Sequence, residues 1–339
     1  MILHPIDKRF SYFYDNTNCR AMKKLSLCLL LISAIVLLSS WGFYAHKRIN
    51  QLAIFTLPEG MIGFYKNNHK YITEHAVDPD KRRYADTAEA PRHFIDVENY
   101  ESHIDSIPEK WNDAVNKYGA KHLGKEGIVP WQIHRTYNNL VRAFKERDSL
   151  KILRYSADLG HYVGDAHVPL HTTRNYNGQL TNQVGIHGFW ESRVPELFAK
   201  NYNLLVGKAN YIEDPLKEAW KIVKNAHTMV DTVLSFEKKL SETFPADQKY
   251  DFSMRGKNVM KQYSVAYSKA YSDMMNGMVE RQMKSSIIKV GSYWYSAWID
   301  AGQPDLRNMI RIEATIEDKQ QAEKVDKKYQ EGKIIGREY

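Results

Sequence analysis

The chain has 339 residues, with 48 Lys and Arg against 40 Asp and Glu and a formal net charge of +8. That length suits one large domain or two modest ones, and so mild a basic excess is no argument by itself for nucleic-acid binding. Both cysteines, Cys19 and Cys28, precede Trp41, so a chain beginning there has no disulfides and must rely on core packing, bound metal or both.

In chain order, residues 1–21 fit no part of a targeting signal and read as an upstream extension before a start at Met22. Met22-Lys23-Lys24, an apolar run over 25–38 and Ser39-Ser40 have the layout of a secretory signal peptide over 22–40. The run is shorter than the roughly 20 residues a spanning helix needs, so no stable membrane span is expected after processing. Cleavage before Trp41 would yield an exported chain, periplasmic or secreted. Helical spacing dominates from there. One helix is predicted over 46–55, stopped near Pro58, and a second over 60–73. A long amphipathic pattern covers 138–168 and stops at Pro169. A polar loop, 172–185, is rich in Asn and Gly. Another helix starts near His187, and further helices are predicted over 215–244 and 254–301. No run of alternating β-branched residues predicts a sheet. The expected architecture is all-α, a single multi-helix domain over 41–312 with a charged tail over 313–339, either a solvated helix or partly disordered.

Histidines and carboxylates recur at metal-ligand spacing. His161 and Asp165 stand four apart in a helical stretch and share one face, and His187 and Glu191 repeat the arrangement. Pairs of this kind can grip zinc through nitrogen and oxygen. His171 lies between them, just past Pro169. Upstream, His93 follows Asp78 by fifteen positions, with Asp80 and Asp86 as alternative carboxylates. His46 follows Trp41, whose amine would be free only after cleavage; its ordinary pKa near 8 lets zinc displace the proton. His167 sits off the ligand face.

The order Trp41, His46, Asp78, His93, His161-x-x-x-Asp165, His171, His187-x-x-x-Glu191 resembles the zinc-dependent phospholipase C and single-strand-specific nuclease superfamily. The resemblance covers 41–191. It implies three zinc ions: one on Asp78, His93, His161 and Asp165, a second on His171, His187 and Glu191, and a third on Trp41, His46 and the bridging Asp165. It also implies that Asp78 positions or deprotonates water. Phe94 and Asp96 would bind substrate, together receiving a base in the nuclease branch, with Phe94 receiving a choline head group in the phospholipase branch; the alternative for Phe94 is a core residue.

No Ser/His/Asp order or reactive cysteine suggests a covalent nucleophile. The expected chemistry is attack of a zinc-bound hydroxide on phosphorus, making residues 41–312 a zinc-dependent hydrolase domain for phosphate esters. Its substrate would be a phospholipid or a single-stranded nucleic acid, with no protein partner predicted. Glu191 and the cysteine-free mature chain favour the phospholipase C type. The spacings from Trp41 to His46 and from Asp78 to His93 favour the alternative, a single-strand-specific endonuclease/3'-nucleotidase. Two further readings are a non-catalytic secreted zinc-binding protein and a membrane-tethered interaction protein.

Overall fold

The computed structural model describes residues 43–255, 258–307, 309 and 314–335; the leader reading, Trp41 and the side chains of 254–258 lie outside them. Helices supply nearly all the regular structure, as expected for an all-α chain. The first three used below are α1 (Phe43–Ala53), α2 (Glu59–Asn67) and the short α3 (Asp78–Arg82).

The long 138–168 pattern is two helices, α4 (Val129–Glu146) and α5 (Ser149–Ala166). Arg147 ends α4 in the left-handed region at φ 54°, and Asp148 Oδ1 accepts from Lys151 N at 3.0 Å to cap α5. A continuous apolar period hid the break because both helices pack against each other in one core. α5 is the central helix, against α1, α4 and α9. Leu159, Tyr162, Val163 and Ala166 on it are essentially inaccessible to water, so a polar group among them must be paired.

The 215–244 stretch likewise divides, into α6 (Pro215–His227) and α7 (Val230–Thr243). The helix predicted from 254 fails at its start. Strands β1 (Tyr250–Arg255) and β2 (Asn258–Tyr263) form an antiparallel hairpin with Tyr250 opposite Tyr263. Its signal was present, with apolar and aromatic residues alternating at 250, 252 and 254 and at 259 and 263 about Gly256. Helical structure resumes in α8 (Val265–Met274), capped by Ser264, and α9 (Met278–Asp300). The aromatic stretch at the end of α9 is core: Trp294 is fully buried and stacks on Tyr65 with centroids 5.0 Å apart.

The charged tail forms α10 (Ile316–Glu331), an exposed helix begun by a Thr315–Asp318 capping box. Tyr329 rests against Phe43 and Tyr84, and Ile335 N donates to Arg83 O at 3.1 Å. Among the described residues no helix is long and apolar enough to cross a membrane.

Candidate metal centre

The centre is built around α5. Gly160 and Gly164 leave its flank bare, and α1 lies in the space: a Cβ at Gly164 would stand 3.1 Å from His46 Nδ1. That approach brings His46 Nε2 within 3.3 Å of Asp165 Oδ1 and 3.6 Å of Glu191 Oε1. The His46 and His161 rings stack at 4.1 Å.

The second Asp165 oxygen, Oδ2, faces His93 Nδ1 at 2.9 Å and His161 Nε2 at 3.2 Å. His171, in the turn Pro169–Thr172, and His187, in the helical turn Ile186–Gly188, point their Nε2 atoms at Glu191 Oε2, at 3.2 and 2.8 Å. Glu191 occupies a π-type turn, Phe189–Arg193, rather than the regular helix predicted from its spacing, yet it still meets His187. The turn is itself pinned by Phe189 stacked on Tyr263 at 3.9 Å.

Backbone contacts orient the rings. Nδ1 of His161, His171 and His187 lies 2.8, 2.6 and 3.1 Å from the carbonyl oxygens of Ala76, His93 and Tyr176. Donation there leaves Nε2 as a lone pair aimed into the cluster, the usual way a ligating histidine is fixed. His167 is turned elsewhere: Nδ1 contacts Val163 O at 2.7 Å and Nε2 contacts Ser285 Oγ at 3.0 Å.

Side chains of this kind crowded out of water need a compensating charge. Burial opposes ionisation of Asp165 and Glu191, but the surrounding histidines outweigh it and hold both carboxyls well below the usual range. Burial lowers the His46 pKa, yet Asp165 and Glu191 drive it well above the ordinary value. His161 Nε2 and His93 Nδ1 face each other at 3.0 Å, and two ring nitrogens so close favour a shared cation. Nitrogen and oxygen donors without a thiolate suit zinc. They fall into overlapping triads whose ligand atoms lie within 4.8 Å of one another: His46, Asp80 and His161; His93, His161 and Asp165; His171, His187 and Glu191; and His46, Asp165 and Glu191.

Asp80, not Asp78, is the upstream carboxylate at this cluster. Asp80 Oδ1 stands 3.7 Å from His93 Nδ1 and 3.8 Å from His161 Nε2. Asp78 turns outward, 2.6 Å from His75 Nδ1 and 3.8 Å from Lys81 Nζ. Two residues apart on α3, the carboxylates point to nearly opposite faces, so only one can look inward. Asp86 accepts from Ala88 N in a surface turn. Phe94 is 2% exposed, with its backbone oxygen and ring edge against Gly127. Asp96 is buried, its N–H donating to Glu126 O at 2.7 Å. Trp41 lies outside the described residues.

With the geometry established, comparison places it among known proteins. The S1/P1 Nuclease family profile matches residues 41–293, which contain the whole cluster. Nuclease S1 of Aspergillus oryzae is 26% identical over 185 residues, 50% of this chain and 59% of that protein; the match thus spans under two thirds of that relative. Since the family profile takes in most of the sequence, the chain belongs to the S1/P1 nuclease family.

Proposed function

We propose that this chain is a zinc-dependent phosphodiesterase that hydrolyses single-stranded nucleic acid, in preference to the phospholipase C reading. The observation that carries the proposal is the convergence of His46, Asp80, His93, His161, Asp165, His171, His187 and Glu191 inside the segment matched by the nuclease family. The relative's name, Nuclease S1, supports the same substrate class.

In this reading Asp80, His93, His161 and Asp165 would hold one zinc ion. His171, His187 and Glu191 would hold a second. His46 and Asp165 would hold a third, together with the amine and carbonyl of Trp41 after cleavage of an export signal. Bound zinc supplies positive charge to a phosphoryl group and acidifies water. The chain's own part is to fix that charge. Asp165 ties together ligand sets from α1, α5 and the His93 segment, and the Nδ1 contacts stop three imidazoles from rotating. Asp80, the most solvent-open of these side chains at 21%, marks the side from which a phosphodiester approaches. Asp80 takes over the water-positioning role first assigned to Asp78.

The test is hydrolysis of single-stranded DNA and phosphatidylcholine, side by side, by chain 41–339 with zinc and by its Asp165→Asn variant. The expected result is DNA cleavage that is lost in the variant. Release of diacylglycerol without DNA cleavage restores the phospholipase reading, and bound zinc without turnover of either substrate favours a non-catalytic zinc-binding protein. N-terminal sequencing of the exported chain should begin at Trp41; a mature chain retaining 22–40 refutes the amine ligand.

A further inference from the structure

We propose that Glu89 is the positioning carboxylate of His93 and sets how tightly the ion on His93 is held. The proposal rests on the zinc reading above and adds a residue that carries no ligand role in it.

Glu89 is fully buried and lies one turn before His93, across the 3-10 turn Ala90–Arg92. Its Oε2 accepts from Arg82 Nε at 3.2 Å and from Arg92 Nη1 at 2.5 Å, and its Oε1 accepts from the Tyr162 hydroxyl. The same Oε1 stands 3.6 Å from His93 Nε2, a nitrogen that is buried and makes no hydrogen bond among the described residues. A tilt of the ring by a few tenths of an ångström brings the pair to hydrogen-bond distance. His161, His171 and His187 turn their distal nitrogens to neutral carbonyls. His93 instead presents its distal nitrogen to an anion, which raises its basicity as a ligand and fixes which nitrogen carries the proton.

The network reaches further than one ring. Arg82 also grips Asp158, Nη1 to Oδ1 at 3.1 Å and Nη2 to Oδ2 at 3.1 Å, and Nη2 reaches the Tyr162 hydroxyl at 3.3 Å. Arg82 ends α3, two residues after Asp80, while Asp158 and Tyr162 flank His161 on α5. Glu89 therefore joins the three pieces of chain that carry Asp80, His93 and His161. Two arginines beside it explain why a carboxylate is kept in the interior: their charge offsets its own, and an amide there leaves them in excess.

The experiment measures zinc content and affinity by chelator competition in the parent chain, Glu89→Gln and Glu89→Asp, with melting of the metal-free proteins alongside. Glu89→Asp keeps the charge facing the arginines and withdraws the oxygen from His93. It therefore decides the matter if Glu89→Gln does not fold. The expected result is a loss of about 10- to 100-fold in affinity for one ion, the others being retained. In metal-free protein, the His93 Nε2 proton resonance should move in both variants. Parental zinc affinity in the folded variants, even with lowered melting temperatures, makes Glu89 a purely structural residue and overturns the proposal. A parent chain that binds no zinc overturns it through the reading on which it rests, so the two failures are distinguishable.

Discussion

The Asn50 side chain occupies the place where a Cβ on Gly160 would be: such an atom would lie 2.0 Å from Asn50 Oδ1. Asn50 is fully buried, and its Nδ2 donates to Ala157 O at 3.1 Å, so it cannot swing aside without abandoning that bond. The seating of α1 on α5, and with it His46 on Asp165, depends on this missing methyl. Gly160→Ala is expected to cost about 1–3 kcal/mol by overpacking and to weaken zinc binding through His46. Chemical denaturation and zinc titration of the variant check both effects; unchanged stability refutes the close approach.

Asp80 and Asp78 should separate cleanly on substitution. Asp80→Asn removes a ligand-type oxygen from the cluster, and zinc affinity should fall at least about 10-fold. Asp78→Asn loses a half-exposed pair with His75, an interaction worth about 1 kcal/mol or less, and should keep its zinc. Metal analysis after dialysis decides between them; the reverse pattern returns the ligand role to Asp78.

Chelation should destabilise the fold. Zinc held by the native state alone stabilises it by about 2.7 kcal/mol when free zinc is 100 times the dissociation constant. With an unfolding entropy of about 2.1 cal/mol/K per residue, 1 kcal/mol is worth about 1.5 °C for a chain of about 300 residues, so the melting temperature should drop by about 4 °C in excess chelator and recover with zinc. A melting curve indifferent to chelator argues against a structural contribution from metal.

His167 makes the native state acid-sensitive apart from the cluster. Burial pushes its pKa down to about 4 from the ordinary 6.5. The unfolded chain therefore takes up this proton first as pH falls, and stability declines from about pH 6.5 until the folded state also protonates near pH 4. The full difference is about 3 kcal/mol. His167→Gln should flatten the pH dependence of the unfolding free energy across that window, measured in metal-free protein so that ligand protonation is common to both. An identical slope in the two proteins refutes the assignment.

The side chains that meet in the cluster were legible in the sequence because residue type and local spacing single them out. His161 with Asp165 and His187 with Glu191 lie one turn apart whatever surrounds them, and His46, His93 and His171 could be named from their order. The helical class followed from periodicity, which α5 and α9 display over many turns. The hairpin 250–263 was legible from its alternation about Gly256 and was obscured by the long helical pattern that follows.

What the sequence could not decide was which face of each element turns inward. Asp78 has the more suggestive distance from His93, but α3 buries the other side, and Asp80 looks at the cluster. Phe94 beside His93 reads as a substrate platform or as core, and only packing shows that it is 2% exposed. Glu89 has no motif at all: its place beside His93 arises from Arg82, Arg92 and Tyr162 meeting from separate segments. Sequence spacing determines which groups share a local face, since backbone geometry is periodic. Only tertiary packing decides which face is buried and which oxygen reaches which ring, because those choices are made by contacts between residues distant in the chain.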